Sequence, residues 1–172
     1  MIRRLRNRIA ATLLSLAILL SLNGAGQMLA QAPASGSDQD QLRQLLKKYA
    51  ESVDTLDLNL ASEIWSHDAA VSFIHPRGTE IGFTQIEENF LENTMGTFSQ
   101  RELLLENPVI HVYGDTAWSE MTWTFHATVK NGGMKITTTG RETQIYHKEN
   151  GVWRIVHVHY SGPPVTGALK GF

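Results

Sequence analysis

Residues 140–164 read GRETQIYHKENGVWRIVHVHYSGPP. Two alternating runs flank Asn150-Gly151, and Asn-Gly between such runs is the strongest short-range signal for a β-hairpin. The spacing predicts a three-residue loop, a type I turn with Gly151 in the left-handed region, so that Lys148 pairs with Val152. That register puts Glu142, Gln144, Tyr146, Val156, Val158 and Tyr160 on one face. Thr143, Ile145, His147, Trp153, Ile155, His157 and His159 share the other, and a two-residue loop would slip the register. Both faces are substantially apolar, whereas a half-solvated sheet shows one clearly polar face. One face is therefore expected to meet helices and a cavity, and the other a second subunit.

The histidines of this stretch admit two readings. His157 and His159 sit two residues apart, hence on one face and about 7 Å apart at the backbone. Two imidazoles at that distance can share a metal, which needs a third donor, and no recognisable spacing supplies one. The simpler reading is hydrogen-bonding, aromatic packing at an interface, and no metal is expected.

Outward from the hairpin, long strands are predicted at residues 100–113, 117–130, 134–148 and 152–161, separated by turn residues including Asn131-Gly132-Gly133. Upstream the period changes. Ser37 or Asp38 caps a helix whose residues Leu42, Leu45, Leu46, Tyr49 and Val53 fall on one face. A break at 54–56 precedes a second helix capped by Asp57, with Leu60, Ile64 and Trp65 apolar. A short strand follows at 70–75, stopped by Pro76. Thr84 and Glu87 are spaced as a capping box opening a third helix to about Asn93. Helices first and an antiparallel meander after them define an α+β fold with helices on one face of the sheet.

The chain has 172 residues, of which 42% are hydrophobic and 19% charged, the make-up of one ordinary globular domain. Its first 30 residues are set apart. Arg3, Arg4, Arg6 and Arg8 precede the uncharged apolar run Ile9 to Leu22, the pattern of a secretory signal peptide. Ala30 is the expected cleavage point, with the Ala32-Pro33-Ala34 stretch as an alternative and an uncleaved anchor as the competing reading. Residues 1–30 hold four of the 15 Lys+Arg and none of the 17 Asp+Glu, which leaves the remainder at a formal charge of −6. An acidic domain lacks the clustered cations that nucleic acid requires, so no nucleic-acid partner is expected. Zero cysteines exclude disulfides and thiol chemistry. The expected organisation is a signal peptide at 1–30, a linker at 31–37, one domain at 38–164 and a tail at 165–172. The destination is periplasmic or secreted, with no stable membrane anchor after cleavage.

No Gly-x-Ser-x-Gly and no phosphate loop occur. Tyr49 on the apolar face of the first helix either directs its hydroxyl into a cavity or serves as a core tyrosine. His75 beside Pro76 is similarly open, and Trp65, Trp118, Trp123 and Trp153 read as core or interface residues.

Two segments carry a resemblance. Asn107-Pro108-Val109-Ile110-His111-Val112-Tyr113-Gly114-Asp115 and residues 140–164, with Glu-Thr-x-x-x-His, Asn-Gly-x-Trp and Val-His-x-His-x-Ser-Gly, resemble the association (hub) domain of calcium/calmodulin-dependent protein kinase type II. More broadly, residues 38–164 resemble the SnoaL-like branch of the nuclear transport factor 2 superfamily. That resemblance implies a cone-shaped fold, a curved antiparallel sheet wrapped around three N-terminal helices, with a pocket at the wide end and dimerisation through the outer sheet face. The 172 residues contain no kinase signature, so a kinase-hub role is not expected. Where the hub's pocket carries arginines, this chain has Gln144, Tyr160 and Trp123, so the resemblance implies a neutral rather than an anionic ligand. The spacing from Tyr49 through Asp57 and Asp68 also resembles ketosteroid isomerase, in which the helix tyrosine donates to a developing oxyanion. The isomerase's general-base aspartate matches Phe73, which cannot accept a proton. His75, two residues on and facing the same way, or Glu142, raised in pKa by burial, is the available substitute.

The expectation is a small-molecule-binding or oligomerisation domain that forms a homodimer or a higher homo-oligomer through the outer sheet face. The pocket residues are Tyr49, Trp65, Phe73, His75, Trp123, Glu142, Gln144 and Tyr160, and no cofactor is called for. The alternative is a cofactor-free isomerase, dehydratase or hydrolase using Tyr49 with His75 or Glu142. The strip Trp153, Ile155, His157 and His159 is expected between subunits.

Overall fold

The computed structural model describes residues 37–163. The expected signal peptide, all of the expected linker but Ser37, and the expected tail lie outside the described residues. Helix α1 (Asp38–Thr55) starts at Ser37, whose hydroxyl oxygen accepts from the Asp40 amide at 3.3 Å. Asp38 and Asp40 occupy its first turn, where the exposed amides and the helix dipole favour negative charge. Its buried stripe includes Leu42, Leu46, Tyr49 and Val53. Leu56, with φ 56°, ends it in the left-handed conformation, and Asp57 caps α2 (Leu58–Ile64) by accepting from the Leu60 amide at 3.0 Å.

Strand β1 (Ser72–His75) ends before Pro76 as expected, though it starts two residues later, and the chain turns there into β2 (Gly78–Ile81), a hairpin absent from the sequence reading. The third helix departs from expectation in its start and its winding. Gly82 caps it without a side-chain hydrogen bond, so the Thr84–Glu87 capping box does not form. Instead the Ile81 amide donates to Gln85 Oε1 at 2.9 Å. One turn at Phe83–Gln85 continues as a π-helix over Ile86–Thr94, followed by a short 3₁₀ turn at Met95–Thr97. The whole segment is α3 below.

The remaining strands are β3 (Phe98–Tyr113), β4 (Thr116–Val129), β5 (Lys135–Glu149) and β6 (Val152–Ser161). They form the antiparallel meander, and the full sheet order is β2-β1-β6-β5-β4-β3. Strand β1 joins β6 in parallel, the one parallel pair among the described strands. The sheet is curled and does not close, with the helices on its inner face. Arg101 holds that arrangement. It donates to the carbonyls of Val53 at the end of α1, Met95 and Phe98, which supplies partners for groups that a helix end leaves unmade.

The β5–β6 hairpin corrects the predicted register. Asn150 and Gly151 both have positive φ, 51° and 83°, as a two-residue type I′ turn requires, and Glu149 pairs with Val152. A bulge between Ile145 and Tyr146 absorbs Val156 and resets the alternation. Trp153 and Ile155 therefore point inward and are buried in the subunit's own core, contrary to the interface strip read from the sequence. Beyond the bulge the expected phase returns, with Val158 and Tyr160 inside and His157 and His159 outside. Trp153 is fixed by its indole N–H, which donates to Asp38 Oδ1 at 3.0 Å, the same oxygen that receives Lys148 Nζ.

No helix among the described residues is long and apolar enough to cross a membrane.

Candidate functional site

Between α1, α3 and the inner face of the sheet lies a cavity of about 570 Å³. Its apolar wall comes from Val53 of α1, Phe90 and Met95 of α3, and Leu103, Trp123 and Phe125 of β3 and β4. Tyr49, Glu142 and Tyr160 bring polar atoms to it, and Pro76 and Arg77 of the β1–β2 turn complete one side. Alternation explains these positions. Trp123 and Phe125 are inward residues of β4, and Glu142 faces inward on β5.

Four of the eight residues expected at the pocket, Tyr49, Trp123, Glu142 and Tyr160, line this cavity. The other four stand behind it. Trp65 packs edge-on against Tyr49 with ring centroids 6.5 Å apart, and Phe73 lies 6.0 Å from Trp65 and 5.6 Å from Tyr160. His75 stacks on Tyr160 at 6.1 Å. Gln144 is fully buried and reaches the site through Glu142, donating from Nε2 to Oε1 at 2.6 Å. Arg77, Phe90, Met95 and Phe125 were missed by the sequence reading. The β4 alternation was signal enough for Phe125, whereas Arg77 sits in a turn with no periodicity.

His75 and Glu142 occupy different surroundings. His75 Nδ1 accepts from the Arg77 amide at 3.3 Å, so its proton is on Nε2 in the neutral ring. That nitrogen is 3.5 Å from Glu80 Oε1 and is buried without a hydrogen-bond partner. Glu80 is in turn held by Asn89 at 2.7 Å. The Glu142 carboxyl faces the cavity instead. Burial pushes its pKa up to about 7, and hydrogen bonds from Gln144 and Tyr49 offset part of that rise. Burial, with the neighbouring Glu142 charge, also raises the Tyr49 phenol well above its usual range and brings Tyr160 to about 12. Both tyrosines are therefore neutral donors at any ordinary pH.

Trp123 is placed by a close approach. Gly140 is its partner across the β4–β5 ladder, and a Cβ there would lie 2.6 Å from the indole ring and collide with the Ser161 carbonyl. The indole N–H donates to Arg141 O at 3.3 Å. On the outer face, His157 Nδ1 is 2.8 Å from Ser72 Oγ. Among the described residues no three His, Asp or Glu side chains converge as metal ligands would.

With this geometry in hand, comparison with known proteins is specific. The model of the SnoaL-like domain family matches residues 35–159. A nuclear transport factor 2-like superfamily protein from Salmonella enterica serovar Typhimurium LT2 is 45% identical with a TM-score of 0.76, over 78% of this chain and 96% of that one. A Xanthomonas campestris structure, named as a candidate calcium/calmodulin-dependent protein kinase II association domain, superposes with a TM-score of 0.64 at 21% identity. That match covers 78% of this chain and 93% of its own. A candidate ketosteroid isomerase from Shewanella frigidimarina gives 0.59 at 20% identity, over 70% and 94% of the two chains. The last two likenesses are likenesses of fold.

Proposed function

The chain belongs to the SnoaL-like domain family, and from that premise we propose that its cavity binds a small, largely apolar organic molecule. The observation that carries this reading is the cavity itself. About 570 Å³ of space is walled mainly by aromatic and aliphatic side chains, with one buried carboxyl among them, the usual make-up of a small-molecule site. Trp123 and Tyr160, in edge contact at 5.5 Å with their rings perpendicular, supply an apolar corner, and Tyr49 with Glu142 supplies the orienting hydrogen bonds. The molecule works outside the cytoplasm, after removal of residues 1–30, and pairs with a second copy through the outer face of the sheet.

The test is native mass spectrometry of the full-length gene product purified from the cell envelope. A retained organic molecule on a chain shortened by residues 1–30, lost in Tyr160→Ala, is the expected result. A parent chain that carries nothing and releases nothing on denaturation overturns the binding reading, and an intact N-terminus overturns export with cleavage.

A second reading is favoured by one observation, the Glu142 carboxyl at about 7 beside the Tyr49 hydroxyl. A group titrating near neutrality both takes and returns a proton, as an isomerase or dehydratase without cofactor requires. His75, the other candidate partner of Tyr49, is outside the cavity wall and faces Glu80, so Glu142 is the acid–base group here. With the retained compound as substrate, Glu142→Gln then lowers turnover by about two to four decades while affinity stays near the parent value. Unchanged turnover, or no turnover in the parent, rules catalysis out.

A further inference from the structure

Behind Glu142 runs a line of buried polar groups that a binding wall does not need. Gln144 and Tyr146 follow Glu142 at every second position of β5 and so share its inward face. Ser119 on β4 is the ladder partner of Gln144. Gln144, Tyr146 and Ser119 have no solvent exposure. Burying three such groups is costly unless each is hydrogen-bonded, and here each is. Gln144 Nε2 lies 2.6 Å from Glu142 Oε1, Tyr146 Oη is 2.9 Å from Gln144 Oε1, and Ser119 Oγ is 2.6 Å from Tyr146 Oη.

The directions of these bonds follow from donor counting. An ionised carboxylate only accepts, so Gln144 must present its amide N–H to Glu142. That turns the Gln144 oxygen toward Tyr146, whose single hydroxyl proton goes to it. The Tyr146 oxygen then has no proton left for Ser119, and Ser119 must donate. Every donor in the line therefore points toward the carboxylate. We infer that Gln144, Tyr146 and Ser119 form a one-way hydrogen-bond relay that pins Glu142 by Oε1 and leaves Oε2 as the oxygen that exchanges a proton with the cavity. This deepens, and rests on, the reading of Glu142 as the polar contact of the ligand site. The three are positioning residues, since none of them lines the cavity. The other titratable groups that bear on Glu142 are Tyr49 from α1 and Tyr160 from β6. Met121 is its ladder partner on β4, and the Arg77 charge acts on Tyr160.

Carbon-13 NMR of the Glu142 carboxyl, assigned with Glu142→Gln and titrated in the whole chain without ligand, reads the relay directly. Tyr146→Phe removes one hydroxyl that does not touch Glu142. It frees the Gln144 amide to turn its oxygen toward a protonated acid, which favours the neutral form. The expected result is a Glu142 midpoint raised by on the order of half a pH unit or more. A larger rise is expected in Gln144→Met, and a smaller one in Ser119→Ala. If Tyr146→Phe and Ser119→Ala both leave the midpoint at the parent value, the relay is refuted, whatever Gln144→Met does. Should Tyr146→Phe fail to fold, Ser119→Ala decides alone by the same reading. Because no ligand enters the measurement, its failure is distinct from a failure to find the cavity's occupant.

Discussion

At the scale of single residues, Glu142 carries the largest consequence, and the sign of its effect is fixed by its environment. Burial raises its folded-state pKa from an ordinary 4.5 to about 7, so the folded chain binds this proton more tightly than the unfolded chain does. Its contribution is therefore most favourable below about pH 4.5 and is lost as pH rises through about 7, a span of about 3 kcal/mol. Glu142→Gln has no such proton. The difference in stability between parent and variant, measured by urea unfolding from pH 4.5 to 8, should move against the parent by about that amount. A flat difference would show that the carboxyl titrates normally. Alternation along β5 placed Glu142, Gln144 and Tyr146 on one face from sequence alone, and the 3.6-residue period placed Tyr49. Depth was not legible. Trp65, Phe73 and His75 lie on the correct side of the sheet or helix, but periodicity does not say which layer of a packed wall touches the cavity.

At the scale of elements, the boundaries of the four long strands and of α1 and α2 followed from period, caps and turn residues. The hairpin between β5 and β6 shows where such reading stops. Asn150-Gly151 marked the turn, but a two-residue loop with a later bulge and a three-residue loop without one differ only in where the extra residue goes. Packing settled it, because the bulge allows Trp153 and Ile155 to enter the core and still leaves Val158 and Tyr160 facing inward. The π-winding of α3 had no sequence signal at all. Strand β5 contains a further constraint at Gly140, where the Trp123 ring and the Ser161 carbonyl leave no room for a Cβ. Gly140→Ala should destabilise the fold by about 2 kcal/mol or more, as overpacking does. Its melting temperature should fall on the order of 5–10 °C, with a change in Trp123 fluorescence. A variant that melts with the parent would mean that the strand ends yield without cost.

At the scale of the whole molecule, the order of helices then meander fixed the α+β class, whereas the parallel β1–β6 pair was illegible because its partners Ser72 and His157 are 85 positions apart in the sequence. The outer face is where the proposed pairing with a second copy can be tested. One ladder row crosses it as His111, Trp118, Ile145 and His157 on four adjacent strands. Trp118 is stacked between His111, at 4.8 Å, and Tyr113, at 5.0 Å and nearly parallel. Tyr113 is 64% exposed and Val109, one row along, is 50% exposed. Such a cluster of large apolar groups on one sheet face is the mark of an interaction surface, and a second copy of the same face would cover it with matched rows about a two-fold axis. The proposed dimer therefore rests on Trp118 and Tyr113 rather than on Trp153 and Ile155. Trp118→Glu places a charge at the centre of that contact without touching the inner core. Sedimentation at micromolar concentration should give a dimer for the parent and a folded monomer for the variant. A monomeric parent, or a variant that keeps the parent's mass, would remove the outer face from the assembly.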